Sequence, residues 1–84
     1  MTRFWPEGLP IQVEPDAAGL PWYLRWQGRD HPVRHIVRRW RVDTRWWREP
    51  VRREYISLIT TTGLWLLIYR DLDTGQWCVQ RLYD

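Results

Sequence analysis

The stretch LWLLIYRDLDTGQWCVQRLY, residues 64–83, decides the fold because two runs of strand length flank a turn signal. Asp73-Thr74-Gly75 predicts a hairpin loop, since glycine adopts the left-handed conformation that a three-residue loop requires. The first run is apolar on both of its alternating faces, which is typical of a central strand that is covered on both sides. The second run alternates two sets of side chains: Trp77, Val79, Arg81 and Tyr83 against Cys78, Gln80 and Leu82. The stretch therefore predicts an antiparallel hairpin.

The same pattern extends over most of the chain, where turn signals separate runs rich in β-branched and aromatic residues. We expect six strands, near residues 10–14, 20–27, 31–42, 51–60, 64–71 and 76–83. Residues 1–9 are expected to form an N-terminal segment that Phe4 and Trp5 pin to the domain. Because the sequence has 84 residues and no internal repeat, residues 1–84 are predicted to form a single small β domain.

The predicted fold is all-β: a small antiparallel meander that forms an SH3-like or OB-like, partly open barrel. Closure hides the strand edges that six short strands would otherwise expose. With one cysteine, the chain has no internal disulfide, so the large aromatic side chains must supply much of the core. The predicted core comprises Val13, Leu20, Trp22, Leu24, Trp26, Val33, Ile36, Trp40, Val42, Ile56, Leu58, Leu64, Leu66, Ile68, Val79 and Leu82.

Residues 31–42 fit two structures. Four apolar residues have the i, i+3, i+4, i+7 spacing of an amphipathic helix: Val33, Ile36, Val37 and Trp40. A strand must instead carry a bulge near His35 to bring Val33 and Ile36 to one face. We favour the bulged strand, because the short turn at Gly28 pairs it naturally with residues 20–27.

The charges are unevenly distributed. The formal net charge is +3, and all thirteen basic residues are arginine. Residues 25–53 hold ten of these arginines and three carboxylates, whereas each flanking part is mildly acidic. Arginine pairs bidentately with phosphate or carboxylate and stacks on aromatic rings, which lysine does not do. The middle of the chain is therefore the part expected to meet an anionic partner.

The sequence argues against catalysis. His31, His35 and Cys78 are the only imidazole and thiol groups, and their spacing does not match a metal site. Asp71 and Asp73 flank a turn, where aspartate usually bonds its own backbone. There is no glycine-rich phosphate loop or nucleophile elbow. We expect a protein that is not an enzyme, has no cofactor and no small-molecule substrate, does not contact membranes and is cytoplasmic.

Arginine and tryptophan are interleaved in one segment. The candidate binding residues are Arg38, Arg39, Arg41, Arg45, Trp46, Trp47 and Arg48. Single-stranded nucleic acid is bound by basic grooves that follow the phosphates and by aromatic rings on which bases stack. Trp46 and Trp47 point to opposite sides of an extended backbone, so at least one of them is available for stacking. The same residue types also form protein-binding hot spots, or cation–π pairs that need no ligand.

Several motifs resemble one bacterial family of unknown function. They are Trp40-Arg-Val-Asp-Thr44 followed by Trp46-Trp47, and then Tyr69-Arg-Asp71, Thr74-Gly-Gln-Trp77 and Gln80-Arg-Leu-Tyr-Asp84. Members of that family are short proteins or C-terminal segments associated with Y-family, error-prone DNA polymerases of the mutasome. The resemblance implies a DNA-repair or translesion-synthesis context, and it carries over no active site. The expected partner is nucleic acid, with single-stranded DNA favoured, or alternatively a polymerase or other DNA-repair protein.

Overall fold

Seven β-strands make up the structure of the protein, a computed structural model that describes residues 2–44 and 50–83. The strands are β1 Arg3–Pro10, β2 Gln12–Pro15, β3 Pro21–Trp26, β4 Arg29–Thr44, β5 Val51–Thr60, β6 Trp65–Asp71 and β7 Trp77–Tyr83. The described residues contain no helix long and apolar enough to cross a membrane.

All seven strands belong to one antiparallel sheet with the order β1-β7-β6-β5-β4-β3-β2. Strands β2 to β7 form a simple meander, in which each strand pairs with the next in the chain. The first strand pairs with the last, as Arg3 lies opposite Leu82. These pairings confirm the predicted all-β meander.

The connection between β1 and β2 requires the sheet to curl. These strands lie at opposite ends of the strand order, yet Ile11 alone separates them in the chain. The two edges must therefore approach each other near this residue. Across the interior, the rings of Trp5 on β1 and Trp26 on β3 meet edge to face, with centroids 5.9 Å apart. The sheet is thus a small, partly open barrel, as predicted.

Residues 1–9 differ from their sequence-based prediction, because β1 occupies most of this segment. Pro6 and Gly8 are uncommon within strands, so the sequence does not predict one here. Gly8 has a φ of +77°. The pairing with β7 is irregular between Phe4 and Leu9. This irregularity lets one short segment both pair with β7 and continue into β2.

Strand β4 confirms the bulged-strand prediction for residues 31–42. The pairing with β5 shifts between Val33 and His35, so that Val33 and Ile36 both face the core. A second shift between Ile36 and Arg38 leaves Val37 as an extra residue. The second bulge was not predicted, and it reverses the alternation of the residues that follow it.

The core cluster lies on the inner side of the curled sheet. It consists of Leu24, Trp26, Ile56, Leu58, Leu66, Ile68, Trp77 and Val79. Most of the predicted core is buried or packed against this cluster, but Trp22 is 55% exposed because it is the extra residue of a bulge against β2. Trp40 and Val42 were also predicted wrongly, since the bulge at Val37 moves them to the other face of the sheet.

Two turns fix the register of their hairpins. Gln27 and Gly28 both have positive φ, 53° and 73°, as a two-residue type I′ turn between β3 and β4 requires. In the turn between β6 and β7, the Asp71 carboxylate accepts hydrogen bonds from the backbone N–H groups of Asp73 and Thr74. Asp71 therefore has the local structural role that its position in the sequence suggested.

Candidate functional site

The face of the sheet opposite the core cluster, here called the outer face, carries most of the accessible aromatic side chains. Its members follow from the strand register: His35, Arg38, Trp40 and Val42 on β4, Arg53, Tyr55, Ser57 and Ile59 on β5, Trp65, Leu67, Tyr69 and Asp71 on β6, Cys78, Arg81 and Tyr83 on β7, and Phe4 and Pro10 on β1. Six of these side chains are aromatic and three are arginine. Within this set Asp71 is the one carboxylate, and it is bonded to its own turn.

Trp65 is an ordered, accessible ring at one end of the outer face. Its side chain is 43% exposed, and its indole N–H donates a 2.8 Å hydrogen bond to the Ser57 hydroxyl. One face of the ring stacks on Tyr83, with centroids 4.4 Å apart and planes inclined by 30°. The hydrogen bond and the stacking together fix the orientation of the indole, which leaves the rest of the ring to solvent.

Phe4 and Arg81 continue this surface toward the edge of the sheet. The Arg81 guanidinium carbon lies 5.1 Å from the centroid of the Phe4 ring and 5.6 Å from that of Tyr83. Phe4 is 51% exposed. An arginine held between two rings keeps its charge close to accessible aromatic surface.

A second aromatic row crosses the middle of the outer face. Trp40, Tyr55 and Tyr69 are direct neighbours on β4, β5 and β6. The Trp40 and Tyr55 rings are nearly parallel, at 10°, with centroids 5.4 Å apart, and Tyr69 is inclined to Tyr55 by 45°. Arg38 lies over Trp40 at 4.8 Å. This contact places a cation beside the Trp40 end of the row.

Arg53 covers the other end of this row. Its guanidinium carbon lies 4.4 Å from the Tyr69 centroid, and it donates a hydrogen bond to the Tyr55 hydroxyl. That hydrogen bond raises the pKa of Arg53 further above its usual value. The outer face therefore combines aromatic rings with fixed positive charge.

The arginines singled out in the sequence do not lie together. Arg38 belongs to the outer face, whereas Arg39 and Arg41 point to the opposite face of the sheet. There Arg39 forms a 3.0 Å ion pair with the largely buried Glu54. The other candidates, Arg45, Trp46, Trp47 and Arg48, lie outside the described residues.

Sequence reasoning missed that Arg81 and Tyr83 of β7 lie beside Trp65 and Phe4 on the outer face. Simple alternation along β7 groups Arg81 and Tyr83 with the core residue Val79. In the structure Gln80 is an extra residue, because Leu67 pairs with Arg81 and Ile68 with Val79. The bulge moves Arg81 and Tyr83 to the outer face. The sequence did contain one indication of this surface. Trp65, Leu67 and Tyr69 form a second apolar face of β6, which side chains of neighbouring strands had to cover.

Strand β4 also has a free edge. Strand β3 pairs with Arg29–Pro32 alone. Within the described part of the chain, residues 33–44 of β4 therefore hydrogen-bond with β5 and with no second strand. Two bulges and several arginines occur along this edge. Both features oppose uncontrolled pairing of edge strands.

The two histidines lie in different surroundings. The described part of the chain contains no group of three or more His, Cys, Asp or Glu side chains placed to hold a metal ion. His31 is buried, and its Nδ1 lies 2.7 Å from the Thr62 hydroxyl, which in turn bonds the Thr60 hydroxyl. His35 lies on the outer face.

Comparisons with protein-family profiles, with curated proteins and with solved structures find no match to this chain. The resemblance described above to proteins associated with Y-family polymerases therefore stays a prediction.

Proposed function

We propose that the protein is a cytoplasmic, non-catalytic accessory domain that binds single-stranded nucleic acid, with single-stranded DNA favoured, on its outer face. The observation that carries this proposal is the ordered Trp65 ring, which is exposed, fixed by Ser57 and flanked by Tyr83 and Arg81. A ring that is already oriented loses little conformational entropy when a base stacks on it. Stacking contributes roughly 1–3 kcal/mol per base.

The cations of the outer face are placed to contact phosphates. Arg38, Arg53 and Arg81 lie on three different strands, β4, β5 and β7, so positive charge extends across the face. Each guanidinium lies over a ring, and within the described part of the chain none of the three forms an ion pair with a carboxylate. Arg39 and Arg41 leave the proposed site because they lie on the opposite face. A contribution from Arg45, Trp46, Trp47 and Arg48 remains a prediction.

Titration of a fluorescent single-stranded oligonucleotide, at several salt concentrations, tests this proposal. We expect affinity to fall with salt, with a slope of about 0.7 for each phosphate contacted. Trp65→Ala should weaken binding by roughly 5- to 100-fold, the equivalent of one lost stack. Arg38→Gln should reduce the salt slope, because one phosphate contact is lost.

Two matched controls lie elsewhere on the sheet. Trp22→Ala removes a more exposed tryptophan that packs beside Tyr23 and not on the outer face. Arg41→Gln removes an arginine that lies on β4, as Arg38 does, but points to the opposite face of the sheet. Both variants should bind as the wild type does. Equal losses in Trp22→Ala and Trp65→Ala, or the absence of binding at low salt, would contradict the proposal.

A second candidate function is protein docking, and the free edge of β4 favours it. An extended acidic segment of a partner could add a strand along residues 33–44, where main-chain hydrogen bonds are available and arginines supply complementary charge. The resemblance noted above implies that this partner is a polymerase or another repair-complex subunit. Loss of protein co-purification on Arg34→Glu, with unchanged oligonucleotide affinity, would favour docking over nucleic-acid binding.

The biological context is proposed on the resemblance alone. If the chain acts beside a translesion polymerase, single-stranded template is the nucleic acid it would meet. Single-strand preference over duplex in the same titration would support that context, because stacking on an exposed ring needs unpaired bases.

A further inference from the structure

A cavity of about 470 Å³ opens at one mouth of the barrel, on the inner side of the sheet. Its lining comes from β1, the end of β3 and the turn after it, the start of β4, the turn before β6, and β7: Arg3, Trp26, Gln27, Arg29, His31, Leu64 and Leu82. Cavities that bind small molecules commonly measure about 300–1,000 Å³. This one lies where the start of β1 approaches the end of β3 and the turn that follows it.

Among the described residues, the lining combines an apolar floor with cations and no carboxylate. Trp26, Leu64 and Leu82 are the apolar side chains, and Arg3 and Arg29 carry the charge. Among the described residues neither arginine has a carboxylate within ion-pair distance. Two guanidinium groups with no such partner among the described residues, placed at a concave site, are suited to a phosphate, which they can bind through paired N–H donors.

One buried ring nitrogen at this site has no hydrogen-bond partner within the described residues. Trp26 is 6% exposed, and its indole N–H has no acceptor in that part of the chain. His31 is also buried, and its Nδ1 lies within hydrogen-bond distance of the Thr62 hydroxyl. Buried polar groups are almost always hydrogen-bonded in native proteins, so the Trp26 indole N–H is a donor that a ligand in the cavity can use.

We propose that this mouth cavity binds a nucleoside 5′-phosphate, present either as a free mononucleotide or as the phosphorylated end of a strand. Arg3 and Arg29 bind the phosphate, and the base packs on Trp26 and the two leucines. Gln27 and His31 supply hydrogen bonds to the polar edge of the nucleoside.

This site is separate from the outer face. Arg3 and Phe4 are consecutive residues on β1, but Arg3 lies opposite Leu82 on the inner side and Phe4 lies opposite Arg81 on the outer side. The two proposals can therefore fail independently. A variant of Trp65 should leave the cavity intact, and a variant of Arg29 should leave the outer face intact.

Calorimetric titration of the full chain with adenosine 5′-monophosphate, in a phosphate-free buffer, tests the proposal. Adenosine and inorganic phosphate are the comparison ligands, and both should bind at least about tenfold more weakly, because each lacks one half of the interaction. Arg3→Gln and Arg29→Gln should each weaken binding of the monophosphate about tenfold or more. Arg25→Gln is the matched control, since Arg25 is exposed on β3 and faces Asp30.

Nuclear magnetic resonance of the indole N–H groups gives a second readout and verifies that each variant is folded. The Trp26 signal should shift with the monophosphate, and the Trp65 signal should not. A 5′-phosphorylated oligonucleotide that binds more tightly than its 5′-hydroxyl counterpart assigns the cavity to strand ends, whereas equal affinities assign it to free mononucleotides. Absence of a Trp26 shift, adenosine binding equal to that of the monophosphate, or an equal loss in Arg25→Gln would overturn the proposal.

Discussion

Tyr69 illustrates how a single residue joins the strands at the edge of the barrel. Its hydroxyl donates a 3.1 Å hydrogen bond to the Glu7 carbonyl oxygen, which ties β6 to β1 across β7. Burial, followed by the interaction with Cys78, raises the pKa of Tyr69 to about 12. Gly8 permits this contact, because a Cβ at that position would collide with the Tyr69 hydroxyl and lie 2.9 Å from the Cys78 Cβ. The phenol is therefore held neutral in a space that only glycine leaves open.

Tyr69 should make the protein sensitive to alkali. In the unfolded chain the phenol ionises near pH 10, whereas in the folded protein it stays neutral until about pH 12. The stability linked to the neutral phenol is therefore complete below pH 10 and is lost as the pH rises toward 12, by about 2 kcal/mol. Tyr69→Phe should cost about 1 kcal/mol at pH 7, through the lost hydrogen bond. It should also remove this part of the alkaline loss.

Urea unfolding of both proteins from pH 8 to pH 12 measures this effect. If the two unfolding free energies kept a constant difference over that range, the assignment of the raised pKa to Tyr69 would be wrong. Tyr23→Phe is a comparison variant, because a hydrogen bond with Asp30 also raises the pKa of Tyr23 and its share of the alkaline loss must be separated from that of Tyr69.

At the scale of single elements, bulges decide which side chains reach which face. The bulge near His35 could be predicted, because Val33 and Ile36 are both apolar and cannot share a face in a regular strand. The bulges at Val37 and Gln80 could not. After Val37, Trp40 and Val42 fit the core in a register without the bulge, and along β7 the alternation of side chains favours a regular strand.

The strands and the overall fold were consequently easier to predict than the site. Turn residues and apolar runs located six strands, and Leu24, Ile56 and Leu66 were assigned correctly to the core. Trp40 was expected in the core and Arg81 on the same side as Val79, and in each case an unpredicted bulge reverses the assignment. One extra residue on β4 and one on β7 bring Trp40, Arg81 and Tyr83 to the outer face, and local composition does not encode either.

Deleting Gln80 tests the role of the β7 bulge. With Gln80 removed, Arg81 follows Val79 directly, so a regular strand keeps Arg81 on the outer face and Leu82 on the inner side. The deletion should therefore lower the free energy of unfolding by less than about 2 kcal/mol. Gln80→Ala keeps the chain length and should cost less than about 1 kcal/mol. Urea unfolding compares the two variants, and a loss of about 4 kcal/mol or more on deletion would show that Gln80 is not the extra residue.

On the scale of the whole molecule, the N-terminal strand closes the barrel. Strand β1 pairs with β7, and Trp5 reaches across the interior to Trp26. The same strand carries Arg3 at the mouth cavity and Phe4 on the outer face. The segment that gave the weakest signal of a strand in the sequence therefore contributes to the core and to both proposed sites.

Adjacent aromatic residues on β1 allow closure to be separated from binding. Trp5→Ala should cost about 3 kcal/mol or more, because it leaves a void against Trp26 and weakens the contact between the two sides of the barrel. Phe4→Ala should cost less than about 1 kcal/mol, since the Phe4 ring is half exposed, but it should weaken oligonucleotide binding. Chemical unfolding and oligonucleotide titration of both variants measure these effects. The expected difference in stability follows from Trp5 facing the interior and Phe4 facing solvent. Equal losses of stability in Trp5→Ala and Phe4→Ala would mean that Trp5 does not hold the two sides of the barrel together.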